Sequence, residues 1–333
     1  MLTPLTRHTQ LQTRWLGKAV GYADGMSAMR EEMAQLQVVS GGGLSDTPTG
    51  QLLLLEHEDT VTITRQGGQA HLRVSPEELQ NAGISLVETD RGGDVTFHGP
   101  GQLVGYPVLA LNQEGTTGRA NLTGYLRALE SGLLAACVAL GIRGAHLKEG
   151  MTGIWICSDS GMPPEEARHD DLAEKLIAIG VGVRQGITRH GFALNVTTNL
   201  ERFTDRIVPC GLQGRGVTSL KKLAAEGRFT PPPAFSWSVD DPRLHAHFAR
   251  AIAAALGVRL ISALSQAPET DCDPDTISQR HSAASGFLSE GESSGSLQDE
   301  TSSSCPPSST GEIVSLHSHG TMQSGFFNSA ERM

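Results

Sequence analysis

The chain has 333 residues, 38% of them hydrophobic, enough for one large or two ordinary globular domains with a real core. Its formal charge of −10 is concentrated: residues 265–333 hold ten Asp/Glu and two Arg, which leaves the remainder at −2 with no basic stripe to track a nucleic-acid backbone. The five cysteines lack any CxxC pair, against a disulfide framework or a cysteine-rich zinc site, and no run approaches the roughly 18 apolar residues that span a bilayer.

Residues 1–17 carry Arg7 and Arg14 but no acid, and no acid follows before Asp24, a bias that fits a mitochondrial targeting segment as well as a plain frayed terminus. Tyr22, Met26, Met29, Met33 and Leu36 recur at helical spacing and predict an amphipathic helix over 22–37. After a Gly/Thr/Pro loop, 52–56 and 61–64 read as short buried strands, paired as a hairpin. Ser75, Pro76 and Glu78 make a capping box with Pro at the first helical position, Gly83 ends that helix, and a strand at 84–87 leads to Arg91.

Leu122, Leu126, Leu129, Leu133 and Leu140 form one helical face ending at Gly141, and Leu244, Phe248, Ile252 and Leu256 form another ending at Gly257. Before and between them lie apolar or alternating runs at 103–111, 153–156, 176–183 and 191–196. This order predicts an α/β (α+β) fold, one mixed sheet with packed helices, over residues 18–264. From 265 onward, 17 of 69 residues are Ser and apolar periodicity is lost, so 265–333 is expected to be a disordered acidic tail.

Two constellations carry chemistry. Arg91-Gly92-Gly93-Asp94-Val95-Thr96-Phe97-His98-Gly-Pro-Gly101-Gln102 packs four glycines around an Arg and a His after a strand. It has neither the P-loop nor the dinucleotide pattern, so ATP and NAD are not indicated. In Ile207-Val-Pro-Cys210-Gly-Leu, a cysteine sits in a turn that can expose its sulfur. An unassisted thiol of pKa about 8.5 is only a few per cent thiolate at neutral pH, so it needs a cation or base, for which Lys175, His98 and His190 are the candidates.

In order along the chain, Arg91 to Gln102, Gly153-Ile-Trp155, Lys175 to Gly180, His190-Gly-Phe-Ala-Leu-Asn195, Pro209-Cys210-Gly211 and Gly216-Val-Thr-Ser-Leu220 resemble the lipoyl(octanoyl) transferase family over residues 15–262. The resemblance implies a single domain like the biotin and lipoate protein ligases and a cofactor-free, metal-free ping-pong reaction. In it Cys210, partnered by Lys175, takes the octanoyl group from octanoyl-acyl-carrier protein. It then gives that group to a lysine of a lipoyl domain, in 2-oxoacid dehydrogenase E2 subunits or glycine cleavage H protein. The resemblance places acyl binding on Arg91, Gly92, Gly93, Asp94, Val95, Thr96, Phe97 and His98, on Ala178, Ile179 and Gly180, and on Gly191, Phe192 and Ala193, with Ile179 and Phe192 as apolar walls.

Three features depart from the family pattern: Phe97 in place of a frequent Tyr, about 15 extra residues at 158–172, and the Ser-rich tail. The rival readings are an ATP-dependent lipoate or biotin ligase of the same fold, a cysteine hydrolase and a non-enzymatic scaffold. The expected compartment is the mitochondrial matrix, or the cytoplasm for a bacterial protein.

Overall fold

The computed structural model describes residues 10–39, 49–64, 68–114, 119–208 and 216–261. The tail expected at 265–333 and the candidate nucleophile Cys210 lie outside these residues.

Eight strands form a mixed sheet in the order β13-β1-β2-β6-β12-β11-β10-β9. They are β1 (Gln10–Trp15), β2 (Gly50–Leu55), β6 (Gln102–Val108), β9 (Ala145–Lys148), β10 (Met151–Ile156), β11 (Glu174–Arg184), β12 (Ile187–Asn195) and β13 (Arg259–Ile261). β1 pairs parallel with β2 and β13, and the other neighbours are antiparallel. A three-stranded sheet, β4-β3-β5, comprises β3 (Thr60–Thr64), β4 (Ser85–Thr89) and β5 (Thr96–His98); β7 (Gln113–Glu114) and β8 (Arg119–Ala120) pair separately. Helices are α1 (Tyr22–Val39), α2 (Pro76–Asn81), α3 (Leu122–Ala139), α4 (Pro164–Ala167), α5 (Leu200–Arg206), α6 (Leu220–Ala225) and α7 (Pro242–Leu256).

Strand alternation sorts the leucines of β2. Leu52 and Leu54 enter the core under α3 and α7 with Leu129, Leu133, Phe248 and Ile252, while Leu53 and Leu55 meet the buried Tyr22, Met26, Met29, Met33 and Leu36 of α1. The sheet is therefore covered on both faces, and each fully buried Leu contributes about 2 kcal/mol. The α2 capping box forms as predicted: Glu78 N donates to Ser75 Oγ at 3.1 Å and Ser75 N to Glu78 Oε2 at 2.7 Å. Gly83, Gly141 and Gly257 follow their helices in left-handed conformations.

Four expectations are corrected. β2 and β3 form no hairpin: β2 joins the large sheet and β3 the small one, because both faces of β2 are apolar and need two covering layers. The sheet is not single among the described residues. Leu122 is 39% exposed, and the buried face of α3 runs instead through Tyr125, Leu129, Leu133 and Ala136. Residues 10–15 of the expected targeting segment form the interior strand β1, so the folded unit begins before residue 18. No helix among the described residues is long and apolar enough to cross a membrane.

Candidate active site

Lys175, second residue of β11, is 8% exposed. Its amine stands 4.6 Å from the centroid of the Trp155 ring, a cation–π contact with the adjacent strand β10. β10 bulges beside it, with register shifts on either side of Ile154. The bulge is held from α3, where the buried carboxylate of Glu130 accepts from Gly153 N at 3.2 Å and from Arg127 at 2.7 Å. Glycine is required there by backbone approach and by a φ of 118°: a Cβ would lie 2.5 Å from Ile177 O of β11.

The backbone of Lys175 is clipped to the segment that resumes after Cys210. Lys175 N donates to Gly216 O and Thr218 N to Lys175 O, both at 3.0 Å, around a parallel bridge to Val217. Ser219 caps α6, and Lys222 of that helix donates to both carboxylate oxygens of Glu174 at 2.7 and 2.8 Å. The expected position of Lys175 at a strand head thus holds despite the insertion before it. Residues 158–172 fold against the domain: Ala167 is buried, Lys148 Nζ donates to Asp170 O at 2.5 Å, and the Asp170 carboxylate accepts from Ser158 N and Leu172 N.

Further along β11 the Arg91 turn docks. Gly92 N donates to Val181 O at 3.0 Å, and a Cβ at Gly180 would lie 2.8 Å from Gly92 O. Arg91 is spent on structure: its guanidinium donates to Thr62 Oγ1, Thr62 O, Asp94 O and Gly92 O, bracing the turn against β3. Gly93 O accepts from Thr64 Oγ1, and Asp94 pairs with His71. Thr96 and His98 are buried on β5, while Val95 and Phe97 pack into the core of the small sheet, where Phe97 meets Phe203 edge-on at 5.7 Å. The missing hydroxyl at Phe97 accordingly leaves no buried polar group to satisfy.

Cross-strand register places Ala178 opposite Ala193, Ile179 opposite Phe192 and Gly180 opposite Gly191. Direct partners share a face. Ile179 and Phe192 join the core under α3 and α7, and Ala193 joins the cluster under α1. The expectation of Phe192 and Ile179 as channel walls is thus corrected by strand alternation: the surface toward the Arg91 turn is made by Ala178, Gly180, Gly191 and Ala193. At the two glycines the space a side chain would need is taken by neighbouring backbone, Gly92 O at Gly180 and Gly105 O at Gly191. Replacing Gly191 by Ala is expected to destabilise the fold by more than about 3 kcal/mol, because its Cβ would fall 2.0 Å from Gly105 O and 2.7 Å from Pro107 Cδ on β6. Gly83→Ala, with positive φ but open space, should cost about 1 kcal/mol; urea midpoints of the two variants test the contrast.

Tyr22, His57, His98 and Tyr106 form a buried ring cluster. His57 Nδ1 donates to Val20 O at 2.8 Å, so its Nε2 accepts from Tyr106 Oη at 2.6 Å. Burial lowers His57 to about 4 and, with the neighbouring His57, lowers His98 to about 3, so both rings are neutral near pH 7. His190, at φ 56°, pairs with Asp90 at 3.0 Å, although burial lowers its pKa. It lines a 430 Å³ cleft with Tyr22, Met26, Met29 and Val87. His98 and His190 lie in this cluster and cleft, whereas Lys175 is bonded to residues 216 and 218; His57, just after β2, and Tyr106, within apolar β6, carried no motif signal in the sequence.

Gln102, quoted as a motif end but not as a site residue, links the two regions. Its Nε2 donates to Asn195 Oδ1 at 2.9 Å and to Phe97 O at 3.2 Å, which assigns its Oε1 as acceptor of His98 Nδ1 at 2.8 Å; Asn195 Nδ2 donates to Thr218 O at 3.0 Å. Two described cysteines are excluded as nucleophiles: burial pushes the Cys137 thiol up to about 12, and buried Cys157, its thiol also raised by burial, donates to Asp159 O at 2.7 Å. Among the described residues no cluster of three or more His, Cys, Asp or Glu is arranged to hold a metal.

A braced turn packed on small residues, a buried lysine and a mixed sheet covered on both faces define the class, an α/β domain. Residues 29–232 match the sequence profile described as the lipoyl protein ligase A/B catalytic domain. An octanoyltransferase of Acidobacterium capsulatum is 40% identical over 205 residues, 61% of this chain and 76% of that protein. One of Koribacter versatilis is 39% identical over 202 residues, 61% and 72% respectively. In fold, the chain is similar to Ta0514 of T. acidophilum, assigned as a lipoate protein ligase and solved with bound lipoic acid, at a TM-score of 0.50 and 13% identity, covering 83% of this chain and 95% of that one. The chain belongs to the lipoyl protein ligase A/B catalytic domain family, on its octanoyltransferase side. It is an enzyme, an acyltransferase.

Proposed function

We propose that the protein transfers an octanoyl group from octanoyl-acyl-carrier protein to a lysine of a lipoyl domain through a thioester on Cys210. One observation carries the reading: buried Lys175, its amine over Trp155, is hydrogen-bonded through its backbone to Gly216 and Thr218, in the segment that follows Cys210. Thiolate attack on the donor thioester forms the enzyme thioester and expels the carrier thiolate, which takes a proton from the Lys175 ammonium. The acceptor lysine's free amine then attacks, the amide forms, and the Cys210 thiolate leaves as Lys175 recovers the proton.

Ala178, Gly180, Gly191 and Ala193, facing the Arg91 turn, supply a narrow surface for the acyl chain, and Lys175 lies on the same strand. Thioester exchange is nearly isoenergetic and amide formation from it runs downhill, so the reading invokes no nucleotide. The named relatives are bacterial, which supports cytoplasm over the mitochondrial matrix as the compartment.

Incubation with octanoyl carrier protein and a lipoyl domain, without ATP, is expected to add one octanoyl mass to a lysine of the domain. Modification only with free octanoate and ATP, surviving Cys210→Ala, would establish the ligase reading instead. Release of free octanoate without acceptor modification would establish a hydrolase.

A further inference from the structure

The Gln102–Asn195 connection does more than satisfy buried amides. Its donors run in one direction: His98 Nδ1 to Gln102 Oε1, Gln102 Nε2 to Asn195 Oδ1, Asn195 Nδ2 to Thr218 O. Every member is buried, Gln102 at 1%, Asn195 at 4% and Thr218 at 0% exposure. The chain of bonds begins on the Gly-rich turn, crosses β6 and β12, and ends on the carbonyl of the residue whose N–H is bonded to Lys175 O. Its direction is fixed at both ends, because a backbone carbonyl only accepts and because Gln102 Nε2 is already committed to Phe97 O. An amide in either position cannot be reversed without setting oxygen against oxygen.

We propose that Gln102 and Asn195 are positioning residues for the transfer reaction: their directed amide pair orients the Thr218 carbonyl in the 216–218 segment bonded to Lys175, and couples that segment to His98 at the end of the Arg91 turn. The inference rests on the Cys210–Lys175 reading. Lys175 holds Gly216 O and Thr218 N, and Lys221 N donates to Val196 O, so losing the Asn195 bond leaves the segment attached but its buried Thr218 carbonyl without the amide donor, free to re-orient beside the lysine while β11 and β12 stay paired. Since a shift on the order of 1 Å can cost on the order of 10²-fold in rate, the effect should appear in chemistry before it appears in folding.

The test is single-turnover acylation by octanoyl carrier protein, followed by intact mass, in Asn195→Asp and Gln102→Glu. Asn195→Asp still accepts from Gln102 but opposes a carboxylate oxygen to Thr218 O; Gln102→Glu still accepts from His98 but has nothing to donate to Asn195. Each folded variant is expected to acylate at least tenfold more slowly than wild type, with the acid limb of its pH–rate profile displaced to higher pH as the thiolate loses the lysine's support. In the charge-free pair Gln102→Ala and Asn195→Ala, the double variant should be no slower than the slower single one, because both break one connection. A purely structural role would lower the unfolding midpoint and leave rate and pH profile unchanged, which would overturn the proposal. If an acidic variant fails to fold, Gln102→Ala, which leaves space for water in place of the amide, is measured against the same two outcomes. Absence of an adduct on wild type would remove the Cys210 reading and this proposal with it, whereas an adduct on wild type with equal rates in the variants would remove this proposal alone.

Discussion

Lys175→Met is expected to slow octanoyl-adduct formation about 10³-fold at pH 7, within the range for a group that both stabilises a thiolate and moves a proton. Methionine keeps the apolar stem in the slot formed by the β10 bulge and Trp155, so the loss should be kinetic and the unfolding midpoint little changed. The pH dependence separates the two roles of the lysine. Without its charge the thiol is left to its own pKa of about 8.5, so the variant's rate should rise about tenfold per pH unit between pH 6 and 8 and regain part of the deficit. Stopped-flow acylation across that range checks it; a deficit constant with pH would assign Lys175 to proton transfer alone.

Acidification should destabilise the domain from about pH 6.5 downward, above the ordinary carboxylate range. His57 and His98 have folded pKa values of about 4 and about 3, below the ordinary 6.5. Between those values and 6.5 the unfolded chain binds protons that the folded chain does not, so stability is full above about pH 6.5 and falls as pH drops. Each ring contributes a slope of up to about 1.4 kcal/mol per pH unit, and a fall from pH 7 to pH 4.5 should remove about 5 kcal/mol. That is a large share of the 5–15 kcal/mol typical of a domain. Tyr22 from α1, Tyr106 from β6, and Arg91 and His190 face this cluster, and none offers a carboxylate to hold a proton there. Urea midpoints from pH 7 to 4.5 should show the slope, and the His57→Gln/His98→Gln double variant should lose most of it; an unchanged slope would contradict the assignment.

What the sequence made legible follows periodicity and local chemistry. The Met stripe of α1, the α2 capping box and the glycine ends of α2, α3 and α7 are written within a few residues, and they formed as expected. The failures are non-local. Whether 52–56 and 61–64 pair depends on which layers cover them, which no local pattern states, and β1 looked like a basic leader because its Arg14 is spent on Glu32 of α1. Within the site, Lys175 and the glycines at 92, 180 and 191 were legible as motif members, but their reasons were not. Gly180 and Gly191 exist for contacts with residues about 90 positions away, such as Gly92 O and Gly105 O. Phe192 is expected as an apolar wall because its motif falls where the family lines its acyl site, whereas the strand's alternation sends it into the core under α3 and α7. Gln102 and Asn195 went unread because their bonds to each other and to Thr218 span three separate segments.

The central claim is that Cys210 carries the acyl group, and it is tested most directly by peptide mapping of the protein after brief exposure to octanoyl carrier protein and acid quench. The account predicts one octanoyl group, on the peptide containing Cys210, removed by hydroxylamine as a thioester and transferred to a lipoyl domain when one is added before the quench. An octanoyl group on another residue, or acceptor modification with no enzyme adduct at any time, would contradict it.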